Sequence, residues 1–97
     1  MKIRIMSNNI WWCDKNDPRW AARGEDCSAA VRSVGLDKVY AETAPDIIGL
    51  QESSAIMTDE LFHNWQGEFP YAILWSRDTP IFYRSDKFEL IDSHCMV

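Results

Sequence analysis

Two side chains with hard oxygen atoms, Asn9 and Glu52, each stand at the end of a segment with the pattern of a β-strand. Asn9 ends the stretch KIRIMSNN, and Glu52 ends the stretch PDIIGLQE. Carboxylate and amide oxygens are the ligands that Mg²⁺ prefers, commonly one or two from the protein with water completing the shell. If both segments end at one edge of a sheet, the sequence predicts a metal site there. The alternative is that Asn9 caps a turn and Glu52 extends into solvent.

The segments that must position these two side chains are a strand, a helix and a second strand. Residues 2–7 alternate as a strand does, and residues 46–51 form an apolar run typical of a strand covered on both faces. Residues 29–44 between them predict a helix that ends at Pro45. A right-handed crossover makes the two strands parallel, so their carboxyl ends share the sheet edge where α/β folds bind ligands. The helix prediction rests on one face: Leu36, Val39, Tyr40 and Thr43.

A loop is predicted over residues 11–28, because Asp, Asn, Pro and Gly punctuate it. A loop of this length in a small domain is usually either functional or poorly ordered. The three tryptophans of this loop argue against disorder. Trp11 and Trp12 follow Asn9 and are candidates for the wall of a substrate site, with packing beneath the loop as the alternative. Arg19 and Arg23 are candidates for contacting a phosphate, with solvated surface arginines as the alternative.

The second half of the chain predicts a helix over residues 54–66 and then three strands joined by short polar connectors. The helix is indicated by Met57, Leu61 and Trp65 at four-residue spacing, and the strands are predicted at residues 71–75, 79–83 and 87–91. The predicted order of elements is therefore β-α-β-α-β-β-β, which places the chain in the α/β class.

Composition narrows the possible functions. The 97 residues suit one small domain, and the net charge of −5 without a basic block argues against nucleic-acid binding by bulk electrostatics alone. A metal-dependent nuclease stays possible, because a bound cation offsets acidic charge locally. Cys13, Cys27 and Cys95 are predicted to be free thiols in a reducing compartment, with a metal cluster or a disulfide as the alternative. No run approaches a membrane span of about 20 apolar residues, and a cytoplasmic location is expected.

Three stretches in the right order resemble the endonuclease/exonuclease/phosphatase family, which has the deoxyribonuclease-I-like fold. KIRIMSNNI is similar to the family's first strand, which ends in Asn and an aliphatic residue, here Asn9 and Ile10. PDIIGLQES is similar to the second strand, with its Leu-Gln-Glu ending at Glu52. TPIFYRSDKFELIDS is similar to a later segment in which an aliphatic-Tyr-Arg strand turns into another strand.

The resemblance implies that the chain is the N-terminal portion of a four-layer α/β/β/α sandwich that hydrolyses phosphoester bonds with Mg²⁺, or with Mn²⁺. Glu52 would be the metal ligand, and Asn9 would orient metal-bound water or a phosphate oxygen as the second catalytic group. The substrate class stays open among nucleic acids, phospholipid head groups and small phosphate esters. Neither His63 nor His94 is assigned a catalytic role, and His63 is expected on the surface.

The resemblance also implies that residues 1–97 form an incomplete domain. The family's Asp-x-Asn segment and its Ser-Asp-His would follow residue 97, so the missing C-terminal part of the domain is an expected partner and the chain alone is expected to be inactive. A broad apolar sheet face would then be exposed. The alternative function is a non-catalytic α/β interaction module that acts through this sheet face.

Overall fold

A mixed α/β arrangement of three helices and four strands occupies the residues that the computed structural model describes, 1–12 and 15–94. In chain order these elements are β1 (Ile5–Asn9), α1 (Pro18–Ala21), α2 (Ala29–Thr43), β2 (Ile47–Gln51), α3 (Ala55–His63), β3 (Tyr71–Leu74) and β4 (Ile81–Arg84). Cys27 is a buried free thiol, and the predictions for Cys13 and Cys95 lie outside the described residues. Within the described ranges, every helix is too short or too polar to cross a bilayer.

The four strands form one sheet in the order β1-β2-β4-β3. Strands β1 and β2 are parallel, with Asn9 opposite Gln51, so the predicted crossover through α2 is confirmed. Strand β4 is antiparallel to both β2 and β3. The parallel pair therefore lies at one side of the sheet, and its two carboxyl ends meet at the same edge.

The core lies between one face of the sheet and the two longer helices. Alternation along the strands directs Ile48, Leu50 and Phe82 to this face, where all three are buried with Met57 and Leu61 of α3. The inward face predicted for α3 is therefore confirmed, and Trp65 beyond the end of the helix packs partly against the same core. His63 is exposed, as expected.

The inward face of α2 differs from the predicted one. Tyr40 is buried and Leu36 is half-buried, but Val39 is 45% exposed and Thr43 lies on the surface. The positions that are buried carry small or polar residues at four- and three-residue spacing: Ala29, Ser33, Asp37 and Tyr40. A pattern search weighted toward large apolar side chains misses such a face, because small side chains are buried by close approach of the helix backbone.

Residues 87–91 do not form the predicted third C-terminal strand. The backbone amides of Lys87 and Phe88 donate to the carbonyl oxygen of Arg84, at 3.2 and 3.1 Å, and this turn ends β4. Residues 88–94 continue without regular structure. Because α1 interrupts the long loop, the observed order among the described residues is β-α-α-β-α-β-β rather than the predicted one.

A charged cluster closes the edge of the sheet opposite Asn9. The Asp46 carboxylate, which is 4% exposed, accepts hydrogen bonds from the Arg4 amide at 2.8 Å and from Lys87 Nζ at 3.0 Å, and Arg84 Nη1 lies 3.4 Å away. Arg84 also pairs with Asp86 at 2.6 Å and lies over the ring of Phe69. The partners of Asp46 are therefore distant in the chain, with Arg84 38 residues away, and Arg84 is itself buried.

The second face of the sheet carries no helix in the described part of the chain. By strand alternation it presents Ile5, Ile47, Leu74, Ile81 and Tyr83. Residues 88–90 lie beside it, and a cavity of about 270 Å³ separates this segment from the strands. Ile5 is 73% exposed, so the part of this face that β1 contributes is open to solvent.

Asp46→Asn should lower the midpoint of thermal unfolding at pH 7 by several degrees, because the buried Arg84 guanidinium would lose a charged partner. The Arg4 amide and the Lys87 ammonium lower the pKa of Asp46 below 3.8, so its stabilisation is present above that pH and is lost as the pH falls through the lowered pKa. Circular-dichroism melts should therefore show a difference between the two proteins that shrinks as the pH falls below 3.8.

Asp59→Asn, an exposed position on α3, is the matched control. An equal effect of both substitutions, or a difference that stays constant with pH, would show that the Asp46 cluster does not stabilise the fold.

Candidate metal site

A hydrogen bond just past the last residue of β1 joins the carboxyl ends of β1 and β2. The amide of Ile10 donates to the carbonyl oxygen of Gln51 at 3.0 Å, which extends the parallel ladder by one residue. Ile10 is buried, so the chain is anchored at the point where it leaves the sheet. The residues on either side of this bond, Asn9 and Glu52, are consequently kept at one edge.

The two neighbouring asparagines of β1 have different partners. Asn8 Nδ2 donates to the hydroxyl of Tyr40 at 2.9 Å and so connects the strand to α2 on the core side. Asn9 is exposed, and its Oδ1 accepts from the amide of Trp11 at 3.1 Å in a local turn. Since Asn8 is occupied by a structural contact, Asn9 is the asparagine whose side chain is accessible to a ligand at this edge.

Glu52 is exposed, and its Oε2 accepts from the amide of Trp12 at 3.3 Å. Its backbone is in the left-handed region, with φ 56°. The next residue is fixed by the β3–β4 connection, because the amide of Ser53 donates to the carbonyl oxygen of Asp78 at 3.0 Å. The left-handed conformation costs roughly 1–2 kcal/mol for a residue with a Cβ, so the surrounding contacts impose it on Glu52.

Arg32 is a residue of this region that the sequence interpretation missed. It lies in the first turns of α2 and donates to the carbonyl oxygens of Cys27, Ile10 and Trp11, the first at 2.8 Å and the last at 2.9 Å. Trp11 itself is left-handed, with φ 64°. One guanidinium thus fixes the turn that presents the Trp11 and Trp12 amides to the site.

Several aromatic and cationic side chains of the loop and of α2 form a cluster. Trp11 and Trp20 lie with ring centroids 6.1 Å apart, Arg23 lies 4.8 Å from the Trp20 ring and Arg32 lies 5.3 Å from the Trp11 ring. Trp12 is 49% exposed and contacts Glu52 through its amide. The structure therefore brings Trp11, Trp12 and Arg23 into one surface region connected to Asn9 and Glu52.

Arg19 has a different environment from the other candidates. Its guanidinium lies 2.9 Å from Asp17 Oδ2, and Asp17 also caps α1 by accepting from the Arg19 amide at 2.8 Å. The hydrogen bonds from Arg19 lower the pKa of Asp17 to about 2. Arg19 is therefore engaged with Asp17 through Nε and Nη2 at the start of α1.

The donor set at this edge fits a hard divalent cation in part. One carboxylate and one amide oxygen match what Mg²⁺ takes from a protein when water and substrate supply the rest of its shell, and Mn²⁺ accepts the same atoms. Each oxygen already accepts one backbone hydrogen bond, which orients it and leaves a further lone pair. Within residues 1–12 and 15–94, no group of three or more His, Cys, Asp or Glu side chains gathers around a common point.

Comparison of the chain with protein-family models, with curated proteins and with solved structures finds no match.

Glycine at position 52 should give a more stable protein than alanine by about 1 kcal/mol, because only glycine adopts the left-handed conformation without strain. The order should be reversed at Glu42, an exposed position inside α2, where glycine is less favourable than alanine by about 1 kcal/mol. Urea unfolding of the four variants measures both differences. Alanine at position 52 matching or exceeding glycine would contradict the strained geometry assigned to Glu52.

Proposed function

We propose that this chain supplies part of the active site of a Mg²⁺- or Mn²⁺-dependent phosphoesterase of the endonuclease/exonuclease/phosphatase family. Glu52 is the metal ligand, and Asn9 orients a metal-bound water or a phosphate oxygen. The observation that carries the proposal is the junction of β1 and β2, where Asn9 Oδ1 and Glu52 Oε2 accept from the consecutive amides of Trp11 and Trp12, at 3.1 and 3.3 Å.

Backbone strain at the same place supports a functional role. Glu52 and Trp11 are two of the three non-glycine residues with positive φ among those described. Strained conformations persist only where the surrounding structure imposes them, and they concentrate at functional sites. A surface glutamate with no function would have no reason to keep this conformation, since glycine or asparagine would relieve the strain.

The open face of the sheet supports the finer fold proposal, a four-layer α/β/β/α sandwich of which this chain forms one half. Helices α2 and α3 cover only the face that carries Ile48 and Leu50. Most of the other face is apolar, apart from the hydrogen-bonded pair Ser7 and Gln51, and its apolar part matches what a second sheet requires, because stacked sheets pack through apolar inner faces about 10 Å apart. The missing C-terminal part of the same domain is therefore the proposed occupant.

The bound cation would stabilise negative charge on the phosphate and on the leaving group. Glu52 would fix the position of the cation, and the Asn9 amide would orient an oxygen beside it. Trp11 and Trp12 would form an apolar wall next to the reacting phosphate, and Arg23 lies 4.8 Å from the ring of Trp20, which itself packs against Trp11. Groups that activate the attacking water are assigned to the C-terminal part.

Glu52→Gln should reduce the affinity for Mn²⁺ by at least about 10-fold, because an amide is a weaker ligand than a carboxylate; even partners outside the first coordination shell typically contribute this much. Mn²⁺ titration followed by NMR measures the affinity, since bound Mn²⁺ broadens the amide signals of residues near it. In the unmodified chain, binding should be weak and the broadening should centre on residues 9–12 and 51–53.

Glu42→Gln, which removes the same charge from an exposed position on α2, should leave the titration unchanged. In a longer polypeptide that joins this chain to the Asp-x-Asn and Ser-Asp-His segments, Glu52→Gln should lower Mg²⁺-dependent phosphoesterase activity by about 100-fold or more. Equal Mn²⁺ broadening in the chain and its Glu52→Gln variant, or near-normal turnover of the longer variant, would exclude Glu52 as the ligand.

A non-catalytic interaction module is the second candidate function, and the exposed apolar face that includes Ile5 favours it. The two candidates differ in what Glu52→Gln and Ile5→Lys change. An interaction module should lose partner binding with Ile5→Lys and be indifferent to Glu52→Gln. The phosphoesterase should lose metal affinity with Glu52→Gln whether or not a second partner covers the sheet.

A further inference from the structure

A cavity on the helical side of the molecule, remote from Asn9 and Glu52, is not used by the proposed function. It has a volume of about 350 Å³ and lies between α2 and the segment that follows α3. Its lining includes Asp37, Lys38 and Ala41 from α2, and Asn64, Gln66 and Gly67 from the opposite side. This volume falls at the lower end of the range for small-molecule pockets, about 300–1,000 Å³.

Asp37 is the unusual residue of this lining. It is 9% exposed, and neither carboxylate oxygen has a hydrogen-bond partner within the described residues. Buried polar atoms in proteins are nearly always hydrogen-bonded, and a buried carboxylate without donors is costly. The residue thus has two unused acceptor atoms beside a cavity. Rotation about its terminal bond is soft, so the carboxylate can turn toward a donor that enters.

The other polar groups near the cavity also favour a ligand that donates hydrogen bonds. Asn64 Nδ2 donates to Glu60 Oε2 at 2.8 Å, so what Asn64 chiefly offers a ligand is its carbonyl oxygen. Glu60 adds a negative charge next to this amide. Among the described residues, the charged groups of the lining are Asp37 and Lys38, and because they are neighbours in the helix the two side chains diverge. The lining therefore offers hydrogen-bond acceptors at Asp37 and Asn64, with the ammonium of Lys38 directed away from Asp37.

The wall opposite α2 is fixed in place. A Cβ at Gly67 would lie 1.9 Å from the ring of Trp65, so only glycine allows this close packing. The Trp65 ring in turn donates through Nε1 to the carbonyl oxygen of Phe69 at 2.8 Å and packs edge-on against Tyr71, with centroids 4.9 Å apart. A preformed wall of this kind reduces the ordering cost of binding.

We propose that this cavity is a binding site for an organic cation with a primary ammonium group, which donates hydrogen bonds to the Asp37 carboxylate. The alkyl part of the ligand lies along Ala41 and Gly67, and the ammonium satisfies the acceptors that the chain leaves unpaired. A small free amine and the side chain of a lysine on a partner protein share this chemistry.

The affinity of the site should depend on pH, because the ammonium binds the ionised carboxylate. Burial raises the pKa of Asp37 to about 7. Lys38 shares the cavity lining with Asp37, and Glu60 accepts a hydrogen bond from the lining residue Asn64. Tyr40 on α2 interacts electrostatically with Asp37, and burial raises the Tyr40 pKa to about 12. The Asp37→Asn variant therefore tests whether a change in affinity between about pH 5.5 and 8 comes from Asp37.

The direct test is titration of the 97-residue chain with n-butylammonium chloride, followed by NMR shifts of the Ala41 and Gly67 amides. Binding at about pH 8 should be at least about 10-fold tighter than at about pH 5.5, and n-butanol, the neutral counterpart, should bind at least about 10-fold more weakly at pH 8. Asp37→Asn, which preserves size, should remove the pH dependence and reduce the affinity by at least about 10-fold.

Asp59→Asn, which changes the net charge equally from an exposed position on α3, is the matched control and should bind as the unmodified chain does. A second titration distinguishes a lysine of a partner protein from a small free amine, with Nα-acetyl-lysine N-methylamide as the probe because its ammonium is free and peptide groups flank the residue. Binding tighter than that of n-butylammonium indicates a protein lysine, and weaker binding indicates a free amine. The proposal is overturned if n-butylammonium and n-butanol bind equally, if Asp59→Asn weakens binding as much as Asp37→Asn, or if no amide near the cavity shifts.

Discussion

The parallel pairing of β1 with β2 is the constraint on which the candidate site depends. With Asn9 opposite Gln51, the strand ends coincide, and the bond from the Ile10 amide to the Gln51 carbonyl keeps them together after the sheet has ended. A shift of one residue would turn the side chains of the shifted strand to the opposite face, and would exchange Asn8 with Asn9 if it occurred in β1. A shift of β2 is excluded because it would expose Ile48 and Leu50, and a shift of β1 is opposed by the hydrogen bond from Asn8 to Tyr40.

Two further features use this junction. Arg32 donates to the carbonyl oxygens of Ile10 and Trp11, so α2 fixes the turn that follows β1. The backbone amides of this turn donate hydrogen bonds to Asn9 and Glu52. Glu52 adopts a strained, left-handed backbone conformation at the same place. Packing of the core thus determines the geometry of the exposed edge that carries Asn9 and Glu52, although the core residues are not themselves part of the candidate site.

The features that could be predicted from the sequence are those that depend on residues close together in the chain. The strand–helix–strand unit was predictable because apolar runs, a helical period and Pro45 are local signals. The local sequence of residues 87–91 is compatible with a strand, because strand preference depends on context. In the structure the backbone amides of Lys87 and Phe88 instead donate to the carbonyl oxygen of Arg84 and form a turn. Burial of Arg84 was hidden for the same reason: its partner Asp46 lies 38 residues away in the chain.

The candidate site shows the same division. Asn9 and Glu52 were identifiable from residue type and position, whereas Arg32 was not, because its role exists only once α2 packs beside the end of β1. The short helix α1 had a local signal, because Asp17 is an N-cap and Pro18 occupies the first helical position. The prediction of a loop over residues 11–28 missed this signal. Asp37 lacked any such signal, since an acidic residue in a helix is ordinarily solvated.

The central claim is that the edge formed by β1 and β2 binds a divalent cation through Glu52. The most direct measurement is anomalous diffraction from crystals of the chain soaked in Mn²⁺. The account predicts a peak about 2.1 Å from a carboxylate oxygen of Glu52, close to Asn9 and on the side of Trp12. A peak confined to other acidic residues, with ordered density at Glu52 and no metal beside it, would contradict the assignment.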